Sequence, residues 1–414
     1  MKRVLWLKWG GAAVAAVLGG GLYYHFGVAE PRRSRAEAQA LFEEGNARLG
    51  AGETAAAIEV YQKALDRDAG FVPAYNGLGM AYRASGESPR AEALLQQALS
   101  IDSTVAETYN NLAIVYSESG RVAQAEAVYR KALAIDPNSA VTYFNLGAFY
   151  SQVGRYAEAV QEYGKALQLR RGLYQAHNNM ALACIALGRS SQAVRELKRS
   201  IELNPRQGRA WYNLGLAHEE EGRYEEAADC FRAALEHEPG VAAIHYHLGV
   251  VHEGLQRETE AMEKYREAIS IRPSHREAHY RMGRLLAAQG RYEEAEAGLS
   301  KAIEIDPEYA DARYNLGRLY MRQGRTAEGR REMELFRQMS EYQKERENVS
   351  RILLYMPGDA NSRWKLGQVH EKYGKYDRAI EEYRKALAIR PGFEEARQAL
   401  ESVIEARSRE EDRR

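Results

Sequence analysis

Apolar positions recur along most of the chain with a helical spacing that restarts every 34 residues. In one such unit, Tyr143, Leu146 and Tyr150 stand at i, i+3 and i+7, which places them on one face of a helix. Gly154 follows them, and glycine accepts the backbone angles with which a helix ends. A second apolar stripe that includes Tyr163 comes after this glycine. Each unit therefore predicts two antiparallel helices joined by a tight turn.

Three short strings, or close variants of them, recur at the same places in successive units and indicate the unit boundaries. They are Asn-Leu-Gly in the first helix, Gly-Arg-Tyr-x-x-Ala at the turn and Lys-Ala-Leu-x-Ile-Asp-Pro at the end. The proline ends the second helix and begins the next connection. Aligned on these strings, nine units follow without a shift of register, and a tenth begins at Ala360. The nine start at residues 38, 72, 106, 140, 174, 208, 242, 276 and 310.

The interval between the ninth and tenth units breaks the period. Residues 326–354 are predicted to form one long second helix, and residues 343–351 within it are strongly charged. A run of charge on a helix is usually a solvated face, so an extended surface helix is one interpretation. The other is a protruding segment used for dimerisation or for docking a partner.

The 34-residue period and its strings resemble those of the tetratricopeptide repeat family, over residues 38–393 apart from the interruption. The resemblance implies an all-α fold, a right-handed superhelical α-solenoid of about ten helix-turn-helix repeats. Stacking is required because one helix pair cannot bury its own apolar face. The predicted divisions are nine repeats over 38–343, an extended helix and linker over 344–359, the tenth repeat over 360–393, and a capping helix with a charged tail over 394–414.

The N-terminal residues differ in kind from the repeats. Residues 1–8 form a basic leader, and residues 9–29 carry no charge. At about 1.5 Å per residue the uncharged stretch would span a hydrocarbon core of about 30 Å, so we predict a transmembrane helix there and a linker over residues 30–37. A signal peptide cleaved near Ala29, with export of the chain, is the alternative. The basic leader favours the cytoplasmic side, which would place the repeats in the periplasm or another extracytoplasmic compartment.

In the resembled family the first helix of each repeat lines a concave groove, so the variable residues of these helices are candidate binding residues. The sixth residue of a unit is repeatedly asparagine, whose carboxamide can pair with the backbone of an extended peptide. This row resembles the asparagine ladder of O-linked N-acetylglucosamine transferases, whose catalytic domain is absent here. The alternative is that asparagine caps local polar groups. The asparagines are Asn111, Asn145, Asn179, Asn213 and Asn315.

The fifth residue forms a second row of candidates, because large amphipathic aromatic side chains anchor partner chains well. Packing between repeats is the alternative role for this row. Charges near it are expected to segregate into an acidic edge, comprising residues 219–221 and Glu253, and a basic edge that takes a partner's carboxylates. The aromatic row is Tyr212, Tyr246, Tyr280, Tyr314 and Trp364, and the basic edge is Arg281, Arg284, Arg318 and Arg322.

The composition offers little reactive chemistry. The 58 basic and 58 acidic side chains cancel, which gives no sign of a nucleic-acid footprint. Seven of the ten histidines fall within residues 218–279, and we interpret them as core imidazoles, with a pH-sensitive section as the alternative. Cys184 and Cys230 stand at apolar helix positions and are predicted to be inert thiols. Since the HExxH, GxSxG and Walker motifs are missing, we expect no enzyme, metal or cofactor.

These features together predict a membrane-tethered scaffold or adaptor. It would bind extended peptide segments of other proteins in the groove of its repeats and so assemble a multiprotein complex. Two alternatives stay open. The first is an oligomerisation scaffold, which would make the chain a homo-oligomer. The second is an accessory or regulatory subunit of an enzyme complex in the cell envelope or in secretion.

Overall fold

The computed structural model describes residues 5–9, 12–16 and 29–411. Near the N-terminus two short strands, β1 (Leu5–Trp9) and β2 (Ala12–Ala16), pair antiparallel with Leu5 opposite Ala16. The helix predicted over residues 9–29 is therefore absent at residues 12–16, and its other residues lie largely outside the described part. Short apolar runs fit strands as well as helices, so the composition of this segment does not decide between them. Within the described residues, no helix is both long enough and apolar enough to cross a membrane.

The described residues contain 21 helices, which form pairs followed by one final helix. The first helices of the pairs are α1 (Ala29–Gly50), α3 (Val72–Ala84), α5 (Ala106–Glu118), α7 (Ala140–Gln152), α9 (Tyr174–Ala186), α11 (Gly208–Glu220), α13 (Ala242–Gly254), α15 (Arg276–Ala288), α17 (Ala310–Arg322) and α19 (Ala360–Lys372). The second helices are α2 (Thr54–Arg67), α4 (Ser88–Ile101), α6 (Val122–Ile135), α8 (Tyr156–Leu169), α10 (Ser190–Leu203), α12 (Tyr224–His237), α14 (Glu258–Ile271), α16 (Tyr292–Ile305), α18 (Thr326–Tyr355) and α20 (Tyr376–Ile389), and the last helix is α21 (Glu394–Glu411).

From α3 onward, every first helix begins at a repeat start deduced from the sequence. The first pair differs, because α1 begins at Ala29 and the predicted linker over residues 30–37 is helical. The added turns pack on α2, where the Ser34 hydroxyl donates to the carbonyl of Arg67 and Glu37 lies 3.4 Å from the Arg67 guanidinium. The contacts with α2 thus extend the helix beyond the repeat.

In several pairs the two helices approach closely because a glycine of the first faces a tyrosine of the second. A Cβ atom on Gly147 would lie 2.8 Å from the ring of Tyr163, which is too close for any side chain larger than hydrogen. Gly249 and Tyr265 repeat this arrangement in another pair. Both tyrosines are fully buried, so this contact is the centre of the core within a pair.

Neighbouring repeats are joined by a recurrent set of three side chains. The Arg155 guanidinium lies 4.3 Å from the ring centre of Tyr150 and donates to Glu126 of the preceding repeat at 2.7 Å, while the Tyr150 hydroxyl donates to the same carboxylate at 3.0 Å. Arg155 holds the pKa of the Glu126 carboxyl below its usual range. The same geometry recurs in the sets Glu92–Tyr116–Arg121 and Glu296–Tyr320–Arg325.

The chain divides into two compact units, residues 1–217 and 218–414. In the second unit, α18 has 30 residues where the other second helices have 14. Gly329 lets α18 start close to α17, since a Cβ atom there would lie 3.0 Å from the carbonyl oxygen of Gly317. Farther along, the Tyr342 hydroxyl pairs with His370 of α19 at 3.0 Å. The extension of α18 thus forms part of the packing of the tenth repeat.

Candidate protein-binding surface of the first helices

The first helices carry different charges in different parts of the chain. Helices α5, α7 and α9 contain two carboxylates, Glu107 and Glu118, and no lysine or arginine. Helices α15, α17 and α19 contain nine lysines and arginines against three carboxylates, a net charge of +6. Because the whole chain is neutral, the positive charge of these three helices is a local property.

The asparagines of α5 and α7 form a chain of carboxamides. The Asn145 amide donates to the Asn110 side-chain oxygen at 3.0 Å, and the Asn110 amide donates to the Asn111 oxygen at 3.4 Å. Asn110 and Asn111 are both buried, whereas Asn145 is partly exposed. A sixth-position asparagine is thus bonded to a fifth-position asparagine of the preceding repeat, and this second asparagine was missed in the sequence.

A second chain of the same kind joins α9 and α11. The Asn213 amide donates to the Asn178 oxygen at 2.9 Å, and the Asn178 amide donates to the Asn179 oxygen at 3.2 Å. Asn213 is only 5% exposed, so it offers little surface to a peptide, while Asn179 is partly exposed. The signal in the sequence was the adjacent pair of asparagines, which occurs as 110–111 and 178–179.

Asn315 belongs to neither chain of carboxamides. Its amide donates to the Tyr280 hydroxyl at 3.3 Å and to the carbonyl of Asp311 at 2.9 Å. Both bonds use the amide nitrogen, and the described residues provide no hydrogen bond to the side-chain oxygen. Asn315 lies in the unit of residues 218–414, among the arginines described below.

The aromatic row of the fifth position packs against its own protein. Tyr246 contacts His275 with ring centres 4.9 Å apart, and Trp364 contacts Phe393 at 5.7 Å. His275 and Phe393 are the last residues of their repeats, and Tyr280 likewise contacts the last residue of its repeat, Tyr309, at 5.1 Å. Tyr314 contacts Phe336 with ring centres 5.1 Å apart. Tyr212 is partly buried. Burial raises the pKa of the Tyr246 and Tyr280 hydroxyls. Each of these four ring contacts lies within one repeat, so the structure shows the row taking part in the packing of its own repeat.

The expected segregation into an acidic and a basic edge is wrong at Glu253. Its carboxylate accepts from Arg281 at 3.0 Å, from Arg284 at 2.6 Å and from the Tyr265 hydroxyl at 2.5 Å. The Glu253 side chain is only 10% exposed. Since successive first helices lie side by side, charges that are about 30 residues apart in sequence meet in space and neutralise one another.

Two arginines of α17 lack this neutralisation. The Arg318 guanidinium lies 5.6 Å from the ring centre of Tyr314 and has no carboxylate partner, and Arg322 has no polar partner among the described residues. Together with Arg284 and Asn315 they line a cleft of about 200 Å³ between α15 and α17. Ala287, Ala288 and Leu319 complete its wall. The structure thus brings together four residues of the predicted binding set.

The histidines and cysteines are part of the packing. His245 pairs with the carbonyl of Pro239 at 2.9 Å and with Glu267 at 2.8 Å, and His279 pairs with the carbonyl of Pro273 at 3.0 Å. Cys184 is buried, which raises the pKa of its thiol. In the described part of the chain, no group of three His, Cys, Asp or Glu residues is placed to hold a metal ion.

Models of protein families match most of the repeat region. Three tetratricopeptide repeat models match residues 48–103, 280–338 and 360–393. A model of the C-terminal domain of cilia and flagella-associated protein 70 matches residues 100–305. A comparison with curated protein sequences finds no match.

Several solved structures are similar to part of the chain. The Pseudomonas aeruginosa protein pilF is 24% identical with a TM-score of 0.45, over 49% of this chain and 92% of that chain. YrrB, described as a TPR protein with an unusual peptide-binding site, is 29% identical with a TM-score of 0.40, over 44% of this chain and 95% of that chain. MamA is 23% identical with a TM-score of 0.39, over 42% and 94%.

The repeat models agree with the features already described. Matches to three separate tetratricopeptide repeat models lie near the start, in the second half and at the end of the repeat region. The helices from α5 to α14, between the first two of these matches, keep the lengths of 13 and 14 residues and the 34-residue spacing. The chain is a tetratricopeptide repeat protein.

Proposed function

We propose that this protein is an interaction scaffold that binds extended segments of partner proteins on the surface of its first helices. The observation that supports this most is the fixed orientation of the carboxamides. Asn145 is held by Asn110 through one N–H, at 3.0 Å, and keeps its oxygen and a second N–H for another partner. A peptide backbone supplies the matching donor and acceptor, and it does so for many sequences. The protein thereby assembles complexes, and no catalytic step is assigned to it.

The membrane tether is a further part of the proposal and rests on the sequence. Residues 9–29 are uncharged and follow a basic leader, which favours an anchored N-terminus with extracytoplasmic repeats. A reporter active only outside the cytoplasm, fused after Arg414, is expected to give a signal, and extraction with alkaline carbonate is expected to leave the chain in the membrane pellet. A reporter active only in the cytoplasm, fused at the same place, tests the opposite topology.

Site-specific photocrosslinking tests peptide binding. A library of displayed unstructured peptides is selected against the full chain, and the enriched peptides are crosslinked from single positions. Leu182 of α9 and Ala288 of α15 are exposed on first helices, and Ala134 of α6 and Ala297 of α16 are matched exposed positions on second helices. We expect crosslinks from the first two positions. Crosslinks confined to the second helices, or no enrichment of peptides, would contradict the proposal.

An oligomerisation scaffold is the second candidate, and one observation favours it. Leu354, Tyr355 and Met356 at the end of α18 are 76%, 80% and 59% exposed. In the other repeats that have this proline a polar residue such as Asp136 or Asn204 precedes it, where this segment has Met356. Sedimentation velocity compares the chain with a variant carrying Leu354→Ser, Tyr355→Ser and Met356→Asp. An oligomer that the triple variant dissociates supports this function, and a monomer at all concentrations rules it out.

A further inference from the structure

We propose that the cleft between α15 and α17 binds the carboxylates of an acidic segment of a partner protein. The segment is a stretch of the partner chain that contains several Asp or Glu residues. This inference rests on the proposed function, since it names the kind of segment that one part of the first-helix surface selects.

The cleft is unlike the equivalent place in the other repeats. The difference is in charge, and it arises at the ninth residue of the repeat, which lies on the first-helix surface. Arg284 and Arg318 occupy this position in the eighth and ninth repeats. The other repeats have no positive charge there. Their residues are Asn46, Met80, Ile114, Ala148, Leu182, Leu216, Val250 and Gln368.

The positive charge of the cleft is only partly compensated within the protein. Arg284 shares the Glu253 carboxylate with Arg281, so one negative charge serves two guanidinium groups. Arg318 contacts only the ring of Tyr314, and Arg322 contacts no polar group of the described residues. Cations without counterions on one surface favour an anionic partner, because like charges there repel until an opposite charge arrives.

The geometry fits a peptide better than a small free anion. Arg318 and Arg322 are four residues apart on α17 and present two forked donors along one helix face. Asn315, one turn earlier, keeps its side-chain oxygen free for a backbone N–H of the same segment. The uncharged wall of Ala288 and Leu319 suits the methylene stems of Glu side chains. A chain that passes along the cleft meets all of these groups together.

The position of the arginines on α17 also argues against a phosphate site formed by backbone N–H groups. Arg322 is the last residue of α17, and Arg318 lies one turn before it. The C-terminal end of a helix presents carbonyl oxygens, which stabilise cations and repel anions, whereas phosphate sites use the N–H groups of an N-terminus. The attraction here must come from side chains alone, as in recognition of carboxylates by arginine.

Fluorescence anisotropy with synthetic peptides tests the inference on the full chain. A labelled peptide with several glutamates is compared with the same peptide carrying glutamine at each of them. The variant Arg318→Gln/Arg322→Gln removes the proposed contacts, and Arg330→Gln/Arg331→Gln removes two exposed charges from α18 of the same unit. We expect the glutamate peptide to bind more tightly than the glutamine peptide. The first variant should weaken its affinity roughly tenfold, since each exposed ion pair contributes a few-fold, and the second should leave it unchanged.

Each other outcome has a distinct meaning. If the glutamate peptide binds and the Arg318/Arg322 variant retains its affinity, the acidic segment binds elsewhere, and this inference is wrong while the scaffold function stands. If the glutamine peptide binds equally well, the selection for acidity is wrong. If inorganic phosphate or a single-stranded oligonucleotide displaces the peptide far better than chloride at equal ionic strength, the cleft selects phosphoryl groups and the inference fails. If no peptide binds in the anisotropy or library experiments, the proposed function fails.

Discussion

The first helices of residues 106–217 and those of residues 276–322 occupy the same place in the same repeat, and their surfaces differ. In the former, Asn110 and Asn178 link neighbouring repeats through carboxamides that are largely buried. In the latter, Arg318 and Arg322 face an open cleft without counterions. The repeat therefore determines the position of a side chain, while the residue type at that position determines whether the side chain bonds to a neighbouring repeat or remains without a counterion at the surface.

The core within a helix pair should not distinguish the two regions, and truncation of the side chain that faces its glycine should have the largest effect of all. Tyr163→Ala in the first region and Leu299→Ala in the second each leave a cavity beneath a close glycine, with an expected loss of about 2–5 kcal/mol in local stability. Hydrogen exchange of the affected repeats measures this loss region by region. A large loss in one region and a negligible one in the other would show that the repeats are not built alike.

The carboxamide chains should matter for stability in the first region only. Asn178→Ala removes the acceptor of the buried Asn213 amide, so we expect a loss of about 1–3 kcal/mol in the stability of the fifth and sixth repeats. Asn315→Ala is the matched control, because Asn315 is partly exposed and water can replace its bonds. Opening free energies from hydrogen exchange decide the outcome. Equal effects of the two substitutions would contradict the distinction.

Acid should weaken the seventh repeat more than the third to fifth. Burial lowers the pKa of His252 and of His275, because the charged imidazolium would lose solvation, and neighbouring arginines add to the effect. A folded-state pKa below the unfolded value of about 6.5 gives stability that is present above this pH and is lost as the pH falls through the folded value. Hydrogen exchange, corrected for intrinsic rates, at about pH 7 and about pH 5 measures this difference.

His275→Asn provides the control for the acid effect. Asparagine keeps an acceptor for the Ala278 N–H, which His275 caps, and it does not titrate. The variant should lose part of the acid sensitivity of residues 242–305. Acid sensitivity that is unchanged in this variant, or equal in both regions, would show that the buried histidines are not its source.

The smallest expected effect is a gain of binding on α9, a first helix that contains no arginine. Leu182→Arg/Ala186→Arg places guanidinium groups at the ninth and thirteenth positions of the fifth repeat, as Arg318 and Arg322 are placed in the ninth. We expect a few-fold rise in affinity for the glutamate peptide, measured by anisotropy in a chain that also carries Arg318→Gln/Arg322→Gln. Leu182→Gln/Ala186→Gln is the control of similar size. No gain over this control would mean that the cleft needs more than its arginines.

The sequence was sufficient for most of the fold because its period is fixed by local rules. A glycine after most first helices and a proline after many second helices recur at constant intervals, and the structure starts its helices accordingly. The start of α1 at Ala29 was missed because its added turns are stabilised by contacts with Arg67 of α2, which no local pattern reveals.

The candidate site was harder to predict, because it depends on contacts between repeats. Arg281, Arg284 and Glu253 were assigned to opposite edges, although their helices lie side by side and bring the charges together. The fifth-position aromatics were plausible anchors, yet Tyr246 and Tyr280 contact residues that end their own repeats. Arg318 and Arg322 of α17 were among the predicted binding residues, but only the structure separates arginines with counterions from those without.

Charge reversal at the cleft tests the central claim most directly. Arg318→Glu/Arg322→Glu leaves the repeat framework in place and exchanges the sign of the groups that face the cleft. Anisotropy titrations compare a glutamate peptide and a lysine peptide of equal length on the native chain and on this variant. The account predicts that the native chain prefers the glutamate peptide and that the variant prefers the lysine peptide. A preference for the glutamate peptide that survives the reversal would contradict it.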